Sequence, residues 1–149
     1  MRRHPALRRL SSEHHTGLVL ARRARQAARE DGVAQAAAWA SVKGRFRAEL
    51  EGHFLREEQG LLPALRARGE AGLVERTLRE HQALRALIAE DRAANLLPFA
   101  ELLAAHIRFE EALLFPAAQS LLGPGQLAAL EPGIEPTAEA LPRGPDQCR

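Results

Sequence analysis

His53-Phe54-Leu55-Arg56-Glu57-Glu58 reappears 53 residues later as His106-Ile107-Arg108-Phe109-Glu110-Glu111, and these two hexapeptides decide the fold. The match extends outward at the same offset: Phe46, Leu50, Leu61 and Pro63 correspond to Phe99, Leu103, Leu114 and Pro116. Apolar residues spaced by three, four and seven mark a helix with one buried face. His53 and Glu57, four apart, lie on that face with Phe46, Leu50 and Leu61; His106 and Glu110 repeat the arrangement beside Phe99, Leu103 and Leu113. Two such copies in one short chain point to a duplicated two-helix unit with approximate two-fold symmetry.

Working outward, the sequence predicts four amphipathic helices. The first spans about Leu7 or Ser11 to Glu30, with Ser11 or Ser12 as cap and Asp31-Gly32 as stop. The second spans about Val33 to Arg68, weakened by Gly44, Gly52 and Gly60, with Pro63 kinking it near its end. Gly69 and Gly72 flank the turn into a third helix, about Leu73 to Ala94. The fourth spans about Leu96 to Leu122, capped by Asn95 and stopped by Gly123-Pro124-Gly125. Short links imply antiparallel neighbours. The expected fold is therefore all-α, an up-down-up-down antiparallel four-helix bundle over residues 1–123. The Pro/Gly-rich residues 124–149 follow as a largely disordered tail, with a short helical turn at 126–130.

Composition fits a helical protein. Of 149 residues, 46% are hydrophobic and 27% charged, aromatics are 4% and Tyr is absent, so Leu, Ala and five Phe must build the core. The net charge of +2, made of interspersed opposite signs, demands no polyanionic partner. Arg22, Arg23, Arg25 and Arg29 read as a solvated face, without the aromatic interleaving of nucleic-acid binders. The one cysteine, Cys148, rules out an intramolecular disulfide and a cysteine-type zinc site. No stretch approaches the roughly 20 apolar residues of a membrane span, and basic Met1-Arg2-Arg3-His4-Pro5 precedes no apolar signal core. The expected location is cytoplasmic, with no membrane or nucleic-acid partner, as a monomer or homodimer.

The remaining histidines complete a pattern. His81 sits at the centre of an apolar stripe of Val74, Leu78, Leu84 and Ile88. His14 shares a face with Leu7, Leu10, Leu18 and Ala21, whereas His15, turned about 100° away, lies with Ser11, Ser12, Val19 and Arg22. A lone histidine on an apolar face is ordinarily a hydrogen-bonded core residue. Four, one per helix, with two in-register glutamates, are a different matter, because a buried carboxylate costs several kcal/mol unless paired or metal-bound. The candidate ligands are His14, His53, Glu57, His81, His106 and Glu110, with His15, Glu58 and Glu111 as lesser candidates or as acceptors that orient a neighbouring imidazole. Imidazole with carboxylate suits iron, manganese or zinc, and two clusters across a bundle axis suit a dinuclear centre. Two divalent ions and two glutamates leave a surplus of positive charge that a bridging oxo or hydroxo group would offset.

Leu10-Ser11-Ser12-Glu13-His14-His15-Thr16-Gly17-Leu18, His53-x-x-x-Glu57-Glu58, Arg79-Glu80-His81-Gln82-Ala83-Leu84 and His106-x-x-x-Glu110-Glu111, in this order and spacing, resemble the hemerythrin-like, HHE cation-binding family over roughly residues 4–122. The resemblance implies a four-helix bundle with a non-haem di-iron centre on the six ligands named above. Oxygen-carrying members have two histidines four apart on the third helix, where this chain has Thr77 and Arg85 beside His81. Their fourth helix pairs its histidine with an aspartate five residues on, whereas here Glu110 follows at four. The variant with four histidines and two glutamates looks more like a metal sensor or a small-gas-responsive domain. Three functions follow: a module binding or sensing O₂, NO, peroxide or iron itself; an enzyme reducing peroxide or NO or oxidising ferrous iron; or a metal-free helical interaction domain. No Cys or Tyr stands within the helices to relay electrons, which favours binding over catalysis.

Overall fold

The structure, a computed structural model, describes residues 2–130. It is all-helical, with no strand among the described residues. Helix α1 (Pro5–Ala27) is followed by a continuous rod over 32–67, made of α2 (Gly32–Arg45), α3 (Glu51–Arg56) and α4 (Leu62–Ala67) joined by π-helical turns Phe46–Leu50 and Glu57–Leu61. Next come α5 (Ala71–Ala89), a 3₁₀ turn (Ala93–Asn95), and a second composite rod over 96–121 in which the π turn Glu110–Leu114 joins α6 (Leu96–Phe109) to α7 (Phe115–Leu121). A short fifth helix, α8 (Pro124–Ala128), closes the described chain where a helical turn was expected, and it buries Leu127. The rest of the expected tail, 131–149 with Cys148, lies outside the described residues.

Several expected boundaries move, each for a local reason. Ser11 and Ser12 do not cap α1, which starts earlier. Pro5 fills its first position, and His4, half-buried, accepts the Ala6 N–H at Nδ1 (3.0 Å). Ser11 instead accepts a hydrogen bond from Arg3. Asp31 does not end α1 but starts α2, its carboxylate accepting the Ala34 N–H at 3.0 Å. Asn95 stands at the N-cap of α6 but makes no cap bond; its amide donates to the Leu87 carbonyl and the Glu90 carboxylate. Gly69, at φ +91°, ends α4: the Glu70 N–H reaches back to the Leu65 carbonyl and the Gly69 N–H to Arg66.

Pro63 and Pro116 neither break nor end their rods. Each proline lacks an N–H and would press its ring against the carbonyl four residues back. A π turn immediately before each one supplies the room, with the Leu62 N–H bonded to the Glu57 carbonyl and the Phe115 N–H to Glu110. The wider turn also rotates the register. Leu114 is fully buried, while Leu113, expected inside, is half exposed; Leu18 on α1 likewise lies at the rim.

The core falls into two apolar clusters. One gathers Leu20, Trp39, Phe46, Leu50, Phe54, Leu84, Phe99 and Leu103. The other gathers Leu7, Leu10, Leu61, Leu65, Val74, Leu114 and Phe115. His14 and His81 stand in sequence between the two, and His53 and His106 stand at the edge of the first, one residue before its last members Phe54 and Ile107, so a polar layer divides the interior. Helix α1 packs most extensively on α6, and Gly17 makes that approach close, since a Cβ there would lie 2.8 Å from Ile107 Cδ1. No helix among the described residues is long and apolar enough to cross a membrane.

Candidate metal centre

Four histidines and two glutamates form the dividing layer. His14, His53, His81 and His106 are at most 4% exposed, and Glu57 and Glu110 are fully buried. Each glutamate opens a π turn, so the backbone irregularity coincides with the carboxylate in both copies of the repeat. All four rings turn Nε2 toward the two carboxylates. His53 Nε2 lies 2.9 Å from Glu57, His81 Nε2 3.1 Å from Glu57, His14 Nε2 2.8 Å from Glu110, and His106 Nε2 3.0 Å from Glu110. His53 and His81 also approach Glu110, at 3.9 and 3.8 Å.

These short separations are not hydrogen bonds in most cases. Nε2 of His53, His81 and His106, both oxygens of Glu57 and Oε2 of Glu110 are buried without an aligned partner; apart from Arg56 Nε they are the only such side-chain atoms among the described residues. Buried polar atoms are normally satisfied, and leaving one unmade costs about 1–3 kcal/mol. Donors that crowd together yet do not point at one another are arranged as ligands converging on a third body. Two sets of four converge in this way, with ligand atoms all within 4.8 Å of one another: His14, His53, Glu57 and Glu110, and then Glu57, His81, His106 and Glu110. The sets share both carboxylates and no imidazole. Six nitrogen and oxygen donors of this kind fit divalent transition metals.

The outward nitrogens tell the rest. His53 Nδ1 meets Glu13 at 2.8 Å, His81 Nδ1 meets Glu58 at 2.6 Å, His106 Nδ1 meets Glu80 at 2.7 Å, and His14 Nδ1 meets Glu111 at 2.7 Å. An arginine grips each of these carboxylates in turn: Arg56 on Glu13, Arg85 on Glu58, Arg76 on Glu80 and Arg3 on Glu111. Phenylalanine rings brace the layer, Phe54 stacked on His81 at 3.8 Å and Phe115 on His14 at 5.1 Å between centroids.

Burial disfavours charge on every imidazole here, yet the carboxylates overcome it. His106 is pushed up to about 10, chiefly by Glu110. His53 is held well above the usual histidine range by Glu57, Glu110 and Glu13, and His14 and His81 are raised as well. Burial likewise opposes ionisation of Glu110, but His106, His14 and His53 hold it well below the carboxylate range. Glu111, despite partial burial, falls to about 2 beside His14, Ser11 and Arg3. The raised imidazoles favour ring protons beside the Glu110 carboxylate.

The structure thus brings together all six principal candidates. His15 is exposed and stands apart from them, because it is rotated off the inward face of α1. Glu58 and Glu111, the lesser candidates, aim at Nδ1 of a neighbouring histidine rather than at the centre. Sequence reasoning missed Glu13, Glu80 and the four arginines. The available signal was adjacency: Glu13 and Glu80 immediately precede His14 and His81, a rotation of about 100° that carries them to the next helix. Arg76 lies four residues before Glu80 on the same helix, whereas nothing local marks the other three arginines, which reach across 27 to 108 positions of sequence to their carboxylates. Thr77, four residues before His81, is buried and donates to the Leu73 carbonyl.

No curated protein and no solved structure matches the chain significantly. The family model described as the hemerythrin HHE cation-binding domain matches residues 6–118, a span that contains every residue of the layer. The chain belongs to the hemerythrin HHE cation-binding domain family.

Proposed function

We propose that this chain is a di-iron-binding module that senses or carries a small ligand (O₂, NO, peroxide or iron itself) within the helical layer. One observation carries the reading: the two candidate ligand sets share Glu57 and Glu110 but keep separate histidines, as two ions side by side require. His14 and His53 would hold one ion, His81 and His106 the other, with both glutamates between them. Bound iron supplies open coordination positions, since six protein donors do not saturate two ions. The chain's own residues exclude water with the apolar clusters on either side and fix the imidazoles through their outer carboxylates. The donors themselves would accept zinc or manganese. Short links between the four long rods fit an up-down-up-down antiparallel order. A cytoplasmic monomer or homodimer accords with this reading.

The test is anaerobic loading with ferrous iron, then exposure to air, for the wild type and His53→Ala. The expected result is two equivalents of iron and a near-ultraviolet band in the wild type, both reduced in the variant. Absence of the band, or identical spectra for the two chains, overturns the di-iron assignment. Catalytic consumption of peroxide with a reductant would make the protein an enzyme instead.

A further inference from the structure

We infer that Glu13, Glu58, Glu80 and Glu111 are positioning residues that lock the four buried histidines in the tautomer protonated at Nδ1, leaving Nε2 as the metal-facing atom. The inference rests on the proposed metal-site reading and deepens it. Its basis is a closed ring of contacts. Glu13 on α1 holds His53 of the rod over 32–67; Glu58 on that rod holds His81 of α5; Glu80 on α5 holds His106 of α6; and Glu111, one residue into the following π turn, holds His14 of α1. Every long rod therefore gives one imidazole and one orienting carboxylate, and each carboxylate serves a histidine on the next rod.

Chemistry fixes the direction of each bond. An ionised carboxylate only accepts, so the Nδ1 beside it must carry the hydrogen, and a neutral ring then presents a lone pair at Nε2. The arginines keep the acceptors in place. Arg85 contacts Glu58 at 2.7 Å, Arg3 contacts Glu111 at 2.6 Å, and Arg76 contacts Glu80 at 3.0 Å while lying 4.0 Å above the Phe109 ring. All four carboxylates are partly exposed, between 18% and 34%, whereas their histidines are buried, so each links the solvated surface to the interior. Partners of this kind fix ring orientation, and their loss typically lowers metal affinity about 10- to 100-fold.

His106 and Glu80 offer the cleanest test, with zinc as a diamagnetic probe. Zinc affinity is measured by competition with a chelator, and histidine tautomers by long-range ¹⁵N–¹H correlation on the zinc-loaded full chain. In the wild type, four histidines should be protonated at Nδ1 and bound through Nε2. Glu80→Leu should lower affinity about 10- to 100-fold and alter the pattern of His106 alone. Glu80→Gln, whose amide oxygen still accepts the Nδ1 hydrogen, should keep the single tautomer with intermediate affinity. If the Leu chain does not fold, the Gln chain decides: reduced affinity with the tautomer retained supports the inference, and unaltered affinity overturns it. Wild-type affinity and tautomers in Glu80→Leu overturn positioning while leaving the metal site intact. A wild type that binds no zinc at these histidines overturns the metal-site reading, and positioning with it.

Discussion

Shared carboxylates and separate imidazoles make a quantitative prediction about metal-linked stability. A ligand that binds only the folded chain stabilises it by about 2.7 kcal/mol at a free concentration 100 times its dissociation constant. Two ions held by the two sets should therefore contribute roughly 5 kcal/mol to the wild type. For a chain of this length, about 3–4 °C of melting temperature follows each kcal/mol, so metal should raise the midpoint by roughly 15–20 °C. His81 belongs to one set only, whereas Glu110 belongs to both and is wholly buried. His81→Ala should then keep about half the metal-induced shift and one equivalent of metal. Glu110→Gln, nearly isosteric but uncharged, should lose almost all of it. Comparing each variant with and without metal, by scanning calorimetry at fixed free metal, cancels whatever the substitution does to the metal-free fold. Equal losses in the two variants, or a wild-type shift in Glu110→Gln, would refute the shared-carboxylate arrangement.

Other consequences are simpler to check. Phe54→Ala removes a buried ring stacked on His81 and edge-on to Phe46; it should cost about 3–5 kcal/mol in urea unfolding and weaken metal binding as well. Gly17→Val places side-chain atoms against Ile107, where even a Cβ would meet Cδ1 at 2.8 Å; overpacking of about 1–3 kcal/mol should appear in the same assay. The metal-free protein should be pH-sensitive on its alkaline side. His106 titrates near 10 when folded and near 6.5 when unfolded, so its stabilising effect is complete below about 6.5 and disappears as pH rises through about 10. At the acid end, Glu111 titrates near 2 when folded, and its contribution, present above about 4.5, is lost as pH falls through about 2. Melting temperatures followed from pH 2 to pH 10 without metal would test both limbs.

How much of this was legible in the sequence depended on the range of the interaction. The repeat announced its own inward face, because His53, Glu57 and their copies lie among apolar residues at helical spacing, and those positions proved buried. Helix ends were read less well. Ser11, Asp31 and Asn95 have capping chemistry, but a cap is chosen by competition, and Pro5 with His4 started α1 first. The π turns were invisible to a reading built on a uniform helical period, which is why Leu113 was placed inside and Leu114 took that place. Pro63 and Pro116 were the clue, six residues after each candidate-ligand glutamate, to a turn that had to widen. The four outer carboxylates were half legible, as residues adjacent to candidate ligands. Arg76, four residues from Glu80 on α5, was legible in principle; Arg3, Arg56 and Arg85 were not, since their pairing is settled by which rods meet.

Those arginines explain how a basic imidazole can still become a ligand. A bare carboxylate at each Nδ1, added to the two buried ones, would hold a proton on every ring more firmly and leave metal to displace it. Pairing each outer glutamate with a guanidinium cancels that charge at the rim, so what the interior must balance is the pair Glu57 and Glu110. In the metal-free chain the carboxylates around them raise His53 and His106, which favours ring protons there. Divalent ions held there would balance it with charge to spare and would also engage the atoms that otherwise have no aligned partner. Binding would then release protons, and apparent affinity should rise with pH through the neutral range. On the proposed reading, the outer ring keeps that exchange close enough to balance for a metal to win it.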